Sequence, residues 1–243
     1  MIGMSIDIPY AARIRAQHHA MELYPSPSFG VISGGNYVPG TVATLEEAVQ
    51  FAQQSGAEAV IYSKPDKMPV PEEAEMKLQA EAGIAFGVMG GTPQTFEPPF
   101  MWGDTLEVAA LIGRPFIHGI WDCYSLVRDA FAAGREGMAA QGMTLWPHPP
   151  VSMPNVARSD AWWDNGQDLY MNWLKPAGFV EIPGEAARPG DGFLMKIRSK
   201  VLNHAGVLVE DNAILHHLPT RLSRRENAGV WFRQVEMWVR YQG

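Results

Sequence analysis

The single cysteine of this 243-residue chain, Cys123, stands in a sequence context that suits a nucleophile. Asp122 is a preferred N-cap residue and precedes a helical apolar pattern, so we expect Cys123 to occupy the first position of a helix. Free backbone N–H groups and the positive end of the helix dipole favour a thiolate there, and we expect a thiol pKa below that of a free cysteine. The alternative interpretation is a small buried hydrophobe, the common role of an unpaired cysteine.

Seven histidines accompany the cysteine, and three of them lie on a predicted β-hairpin. Residues that face each other on antiparallel strands share a side of the sheet, and successive residues alternate. A three-residue loop at 210–212 pairs Gly206 with His216 and brings His204 within side-chain reach of His216. A two-residue loop reverses the parity and selects His217, and both registers stay open. A cysteine at a helix start, a strand histidine and a second histidine supply the nucleophile, base and orienting residue of a thiol hydrolase.

These residues resemble the NlpC/P60 cysteine peptidases, which cut the peptide stems of the bacterial cell wall. The matching pieces are Asp122-Cys123, the segment Asn203-His204-Ala205-Gly206-Val207, His216 at twelve residues after His204, and Pro189-Gly190-Asp191 before the sheet. The resemblance implies that Cys123 is the nucleophile, His204 the general base and His216 the residue that orients it. The family's usual Ser-Gly after the cysteine is Tyr124-Ser125 here, and we place no equivalent of its upstream tyrosine.

The elements that must position these side chains follow from periodicity and turn residues. In the first half, helices at 9–24, 44–56 and 72–82 alternate with strands at 29–32, 59–62 and 84–89. In the second half, a helix at 123–133 closed by Gly134 precedes three strand-like runs at 193–197, 204–209 and 213–218. The pattern predicts an α+β protein in which an α/β domain is followed by a helix packed on a small antiparallel sheet.

Over nearly its whole length the chain is similar to the K-type tail assembly proteins of lambda-like phages. The residues that carry this similarity are the segments 113–124, 160–164 and 216–225. It implies a JAB/MPN-like α/β domain at 1–90, a linker at 91–103 where turn formers are dense, and a papain-like NlpC/P60 domain at 104–243. It also implies two partners, other phage tail-tip proteins and peptidoglycan stem peptides.

The zinc site of the JAB/MPN family should lie in the first domain, but its residues are replaced. Tyr62-Ser63-Lys64-Pro65 occupies the place of the family's His-Ser-His-Pro, Glu75 stands where an Asp would be, and Pro27 takes the place of the upstream Glu. Protonated Lys64 cannot bind zinc, and tyrosine is a poor substitute for imidazole. We therefore expect no metal, no cofactor and no catalysis in this domain, which would serve in docking or scaffolding. The alternative is a live metal site that this alignment misplaces.

Composition excludes several other classes of protein. With 47% apolar residues the chain can form a core, and its net charge of −7 offers no broad basic face for nucleic acid. No apolar run of about 18 residues is available to span a bilayer, and residues 1–7 lack the basic start and apolar run of a secretory signal. We expect a tail-tip peptidoglycan endopeptidase in the host cytoplasm during assembly and later in the virion tail tip. The alternative is a structural tail protein with little or no hydrolytic activity.

Overall fold

The chain divides into two compact units, Met1–Glu107 and Val108–Gly243. The computed structural model describes residues 7–103, 105–106 and 108–243, so the first six residues of the predicted domain 1–90 lie outside the described residues. Each unit combines helices with one β-sheet, and the predicted α+β class is confirmed. None of the described helices is both long enough and apolar enough to span a membrane.

The first unit contains a five-stranded sheet with order β2-β1-β3-β4-β5. Its elements are α1 (Tyr10–Leu23), β1 (Phe29–Ser33), β2 (Asn36–Pro39), α2 (Leu45–Ser55), β3 (Ala59–Pro65), α3 (Glu73–Ala82), β4 (Ala85–Gly91) and β5 (Phe100–Trp102). Strands β3 and β4 run parallel and the other neighbours antiparallel. The predicted helices and strands of this half are confirmed, while β2 and β5 are additional. Because β5 pairs with β4, part of the segment 91–103 predicted as a linker belongs to this sheet.

Local sequence explains the helices of the first unit. The side chain of Thr44 accepts from the backbone N–H of Glu47 and so caps α2, and Gly56 ends that helix in the left-handed conformation that glycine adopts without strain. The alanines at 12, 16 and 20 share one face of α1 and are fully buried in the core, so small side chains let this helix pack closely.

The second unit contains a six-stranded sheet with order β10-β9-β8-β7-β11-β6, and every neighbouring pair is antiparallel. Its elements are α4 (Cys123–Ala140), α5 (Leu169–Leu174), β6 (Phe179–Ile182), β7 (Gly192–Met195), β8 (His204–Glu210), β9 (Ala213–His216), β10 (Arg224–Asn227) and β11 (Met237–Tyr241). One core cluster joins the apolar residues of α4 to one face of the sheet, and a second cluster covers the other face.

Helix α4 begins at the cysteine, as predicted. The carboxylate of Asp122 accepts from the backbone N–H of Ser125 at 2.9 Å, which satisfies one of the free donors of the first turn. Gly134, predicted to close the helix, has non-helical angles (φ 61°, ψ −171°), yet helical turns resume after it and continue to Ala140. A Cβ atom at Gly134 would lie 2.5 Å from the nitrogen of Pro150, so glycine also makes room for the following loop.

The β8–β9 hairpin settles the register that the sequence left open. Glu210 pairs with Ala213, so the loop has two residues rather than three. A register shift between residues 208 and 210 leaves Val209 as an extra residue, and this bulge restores the parity. Gly206 therefore faces His216, the pairing that the three-residue loop would have produced.

Candidate active site

The thiol of Cys123 lies at the start of α4 against the first residues of β8. Its Sγ is 3.4 Å from the hydroxyl of Tyr170 and 3.9 Å from the carbonyl oxygen of Asn203. His204 follows Asn203 directly in the chain, but its ring is not among the hydrogen-bond partners of Sγ in the part of the chain that the structure describes. The structure thus brings the predicted base to the neighbourhood of the thiol without a direct hydrogen bond.

The pKa of Cys123 is raised, not lowered as the sequence analysis expects. Burial raises the pKa of this thiol most, and the nearby carboxylate of Asp122 raises it further. The hydrogen bond from Tyr170 and the charge of Arg158 act in the opposite direction but do not outweigh them. The prediction of a depressed pKa was wrong because burial disfavours the thiolate, and the aspartate that caps the helix adds a negative charge beside the sulfur. The resting site holds a protonated thiol.

Two histidines and a glutamate form a hydrogen-bonded chain across β8, β9 and β10. Nε2 of His204 lies 3.2 Å from Nδ1 of His216, and Nε2 of His216 lies 3.4 Å from Oε1 of Glu226. Both histidines are buried, at 2% and 1% exposed. The ring of Phe193 packs beside each of them, and Trp231 packs on His216 with 4.7 Å between ring centroids.

Burial keeps both histidines of this chain neutral near pH 7. It lowers the pKa of His204 to about 3, and the adjacent imidazoles of His216 and His217 lower it further. Burial also lowers the pKa of His216, although Glu226 partly offsets this effect. A neutral imidazole has one N–H and one free lone pair, so each ring can donate one hydrogen bond and accept another.

Beneath the thiol, Asp122 and Arg158 form a buried ion pair. Oδ2 of Asp122 lies 2.5 Å from Nη2 and 3.1 Å from Nε of Arg158, and it also accepts from the backbone N–H of Gly119. The guanidinium donates to Oγ of Ser125 and stacks over the ring of Tyr124. Burial alone would raise the pKa of Asp122, but Arg158 and the nearby His118 hold it well below its usual value. The helix cap is therefore charged and rigidly held.

Besides Arg158, two residues of the site escaped the sequence analysis. Tyr170 lies on the short helix α5, and its ring packs against Tyr124 and Trp162. Burial raises the pKa of Tyr170 well above 10, so its hydroxyl remains a proton donor to a thiolate. Glu226 is the second missed residue. Neither Tyr170 nor Glu226 stands at a spacing from Cys123 that would identify it as a site residue. The local sequence offers one indication, which is that Glu226 follows Arg224 by two residues on the same strand.

His217, the alternative orienting residue, points away from this chain. It is fully buried, and its ring packs on Phe116 with 5.1 Å between centroids. Among the described residues neither ring nitrogen makes a hydrogen bond of full geometry, although the backbones of Arg221 and Arg114 lie close to the ring. Burial lowers the pKa of His217 to about 4. The geometry therefore joins His204 to His216 and leaves His217 as a packing residue.

Comparison with known proteins places this chain in a family. No protein-family model matches it. It is 34% identical over 197 residues to tail tip assembly protein K of Escherichia phage lambda, covering 80% of the chain and 83% of that protein. The chain belongs to the tail tip assembly protein K family. A second K protein, from Escherichia phage N15, is 28% identical over 246 residues, covering 92% of the chain and 91% of the relative. The predicted resemblance to K-type tail assembly proteins is confirmed.

In this member of the K family, the residues of the first unit that were predicted to stand in place of a zinc site contact each other. Nζ of Lys64 lies 2.9 Å from Glu72 and 3.2 Å from Glu75, and it donates to the backbone carbonyl of Val70. The hydroxyl of Tyr62 donates to the same oxygen of Glu75 at 2.9 Å. Within the described ranges, no three His, Cys, Asp or Glu side chains are placed to hold a metal ion. A lysine ammonium, rather than an array of metal ligands, faces these carboxylates.

Proposed function

We propose that this protein is a phage tail-tip assembly protein that also hydrolyses stem-peptide amide bonds of peptidoglycan through Cys123. The observation that carries the proposal is the buried chain of His204, His216 and Glu226, which begins one residue after the carbonyl in contact with the sulfur. A nucleophile at a helix start beside a base that is itself oriented by further groups is the arrangement of thiol hydrolases.

In the proposed reaction the thiol proton moves to His204 as the sulfur attacks the amide carbonyl. This transfer accompanies attack because the raised pKa of Cys123 leaves little free thiolate at rest. The sulfur–carbon bond forms, His204 returns the proton to the leaving nitrogen, and the carbon–nitrogen bond breaks to give a thioester and a free amine. Water then attacks the thioester, giving its proton to His204, and the carboxylate product leaves as the thiol re-forms. Substrate binding brings the imidazole and sulfur together, since catalytic hydrogen bonds often tighten only in the complex.

The hydroxyl of Tyr170 is the proposed donor to the developing oxyanion, together with backbone N–H groups at the start of α4. Its oxygen is 3.4 Å from Sγ and can reach an oxygen on the carbon that the sulfur attacks. Its raised pKa keeps the donor proton in place. The Asp122–Arg158 pair beneath the helix start holds the cysteine in position.

The domain assignments belong to the same proposal. A helix that carries the cysteine and packs on an antiparallel sheet supports a papain-like NlpC/P60 domain at 104–243. For residues 1–90 we propose a non-catalytic JAB/MPN-like domain, supported by Lys64 at the place of a zinc ligand. A domain without catalysis contributes through contacts, so the proposed partners are other phage tail-tip proteins, met in the host cytoplasm and at the virion tail tip.

The second candidate function is assembly alone, without hydrolysis. Two observations favour it: the raised pKa of Cys123 and the lack of a hydrogen bond between its sulfur and His204 among the described residues. The names of both relatives describe tail tip assembly and no chemistry. The two functions differ in whether Cys123 is needed.

Phage carrying Cys123→Ala separates these functions. The substitution removes one small side chain, so we expect normal numbers of complete tails by electron microscopy and a loss of plaques at the stage of wall penetration. Deletion of residues 1–90 should reduce the number of complete tails. Normal plaque counts from Cys123→Ala would refute the peptidase proposal, and missing tails from that variant would show that the cysteine serves assembly.

A further inference from the structure

Glu226 lies at the far end of the histidine chain, where the proposed reaction assigns it no part. One carboxylate oxygen accepts from Nε2 of His216 and from Nε of Arg224, and the other is 3.3 Å from the indole nitrogen of Trp231. Arg221 approaches within 4.0 Å. The carboxylate is therefore held by several donors, and its side chain is only 21% exposed.

The contacts of Glu226 determine where the protons of the histidine chain lie. Arg224, His216 and Trp231 hold the pKa of Glu226 below its usual value against the opposing effect of burial, so the group is an ionised carboxylate that can only accept. The proton between His216 and Glu226 must then sit on Nε2 of His216. A neutral imidazole has one N–H, so Nδ1 of His216 carries a lone pair.

The position of the proton on His204 follows from that on His216. Because Nδ1 of His216 accepts, the proton between the two histidines must sit on Nε2 of His204, 3.2 Å away. The remaining nitrogen of His204, Nδ1, then holds a free lone pair and can act as a base. In the reverse tautomer His216 would donate from Nδ1, and the proton of His204 would occupy Nδ1 and block it.

We infer that Glu226 is a positioning residue that sets the tautomers of both histidines and leaves Nδ1 of His204 as the basic nitrogen. The effect of Glu226 on catalysis rests on the proposed function, whereas the assignment of the tautomers does not. A carboxylate that holds an imidazole in the required tautomer has large effects on rate in serine hydrolases without changing their geometry. Here it would act through one additional imidazole.

Nitrogen-15 NMR of the imidazole rings in the labelled full chain at pH 7.5 tests the inference. In the wild type we expect His204 and His216 both in the Nε2–H form. Glu226→Gln keeps the side-chain volume, but an amide can donate as well as accept, so His216 should become a mixture of the two tautomers. Glu210→Gln is the matched control, since Glu210 pairs with Arg225 as Glu226 pairs with Arg224. It should leave both rings unchanged.

Hydrolysis of stem peptides provides a second measurement. For Glu226→Gln we expect kcat/KM to fall about tenfold or more, with no such change in Glu210→Gln. An Nδ1–H form of His216 in the wild type would overturn the inference, even if the variant failed to fold. Wild-type tautomers and rates in a folded Glu226→Gln would overturn it as well. A wild type with the expected tautomers but no hydrolysis would refute the peptidase proposal and leave the assignment of the tautomers standing.

Discussion

The hydroxyl of Tyr170 lies 3.4 Å from the sulfur of Cys123, although 47 residues separate the two in the sequence. Tyr170 belongs to a six-residue helix in which no residue is fully buried. Its ring is held instead by contacts with Tyr124 and Trp162. A lightly packed helix therefore delivers a hydroxyl to the candidate nucleophile, and the electrostatics of the thiol depend on it.

The rate of thiol alkylation against pH should show this dependence. Because burial and Asp122 raise the pKa of Cys123, the wild type should titrate above the value for a free thiol, about 8.5. Tyr170→Phe removes a hydrogen bond to the thiolate, so its profile should move to still higher pH. Tyr241→Phe deletes a hydroxyl elsewhere in the unit and serves as control. Two results would contradict these expectations. One is rapid alkylation of the wild type at a pH below the pKa of a free thiol, and the other is an unchanged pH profile in Tyr170→Phe.

Loss of one partner of the buried pair of Asp122 and Arg158 should strongly destabilise the fold. Arg158→Met leaves a buried carboxylate without its cation, and breaking such a pair costs about 3–5 kcal/mol of unfolding free energy. Urea denaturation monitored by tryptophan fluorescence measures the change. Arg225→Met is the matched control, because the Arg225–Glu210 pair is half-exposed and should contribute much less. Equal losses from the two variants would show that the buried pair has no special role.

Some parts of the candidate site can be predicted from the sequence. The start of α4 at Cys123 is predictable because the cap residue Asp122 and the apolar repeat are local signals. The pairing of Gly206 with His216 was one of two registers that the sequence left open, and it arises differently from the way expected, since a bulge supplies the residue assigned to the loop.

The remaining contacts depend on tertiary packing that no local pattern encodes. Arg158 reaches Asp122 from 36 residues away, and Tyr170 reaches the thiol from the short helix α5. The sign of the thiol pKa shift depends on burial, which spacing does not reveal. Sequence therefore predicts the positions of the candidate residues in the fold better than the environment of their side chains.

Stability should fall as the pH is lowered from 7 towards 4. His204 and His217 have folded pKa values of about 3 and about 4, below the value near 6.5 expected in the unfolded chain. The unfolded state therefore binds more protons in this range, and each histidine costs up to about 1.4 kcal/mol per pH unit. His217→Leu should flatten the dependence of unfolding free energy on pH, whereas His18→Gln, at an exposed position, should not. The same slope in all three proteins would rule out neutral His217 as one of its origins.

In the first unit, Lys64 should stabilise the fold more than a surface lysine does. Lys64→Met removes a buried ammonium from Glu72, Glu75 and the carbonyl of Val70, with an expected loss of about 1–3 kcal/mol. Lys77→Met, which removes an exposed ion pair within one helix, is the comparison. Hydrogen exchange at β3 and α3 locates the effect. Wild-type protection of both elements in Lys64→Met would contradict a stabilising role for this ammonium.

Hydrolysis of purified host stem peptides by the full-length protein, followed by mass spectrometry of new amino and carboxyl termini, tests the central claim most directly. We predict cleavage of one class of amide bond by the wild type, none by Cys123→Ala, and strongly reduced cleavage by His204→Gln. Ser55→Ala, at the end of helix α2 in the first unit and outside the hydrogen-bonded chain, should match the wild type. Wild-type rates from Cys123→Ala would contradict the assignment of Cys123 as nucleophile, and no cleavage by the wild type would leave tail assembly as the function of this fold.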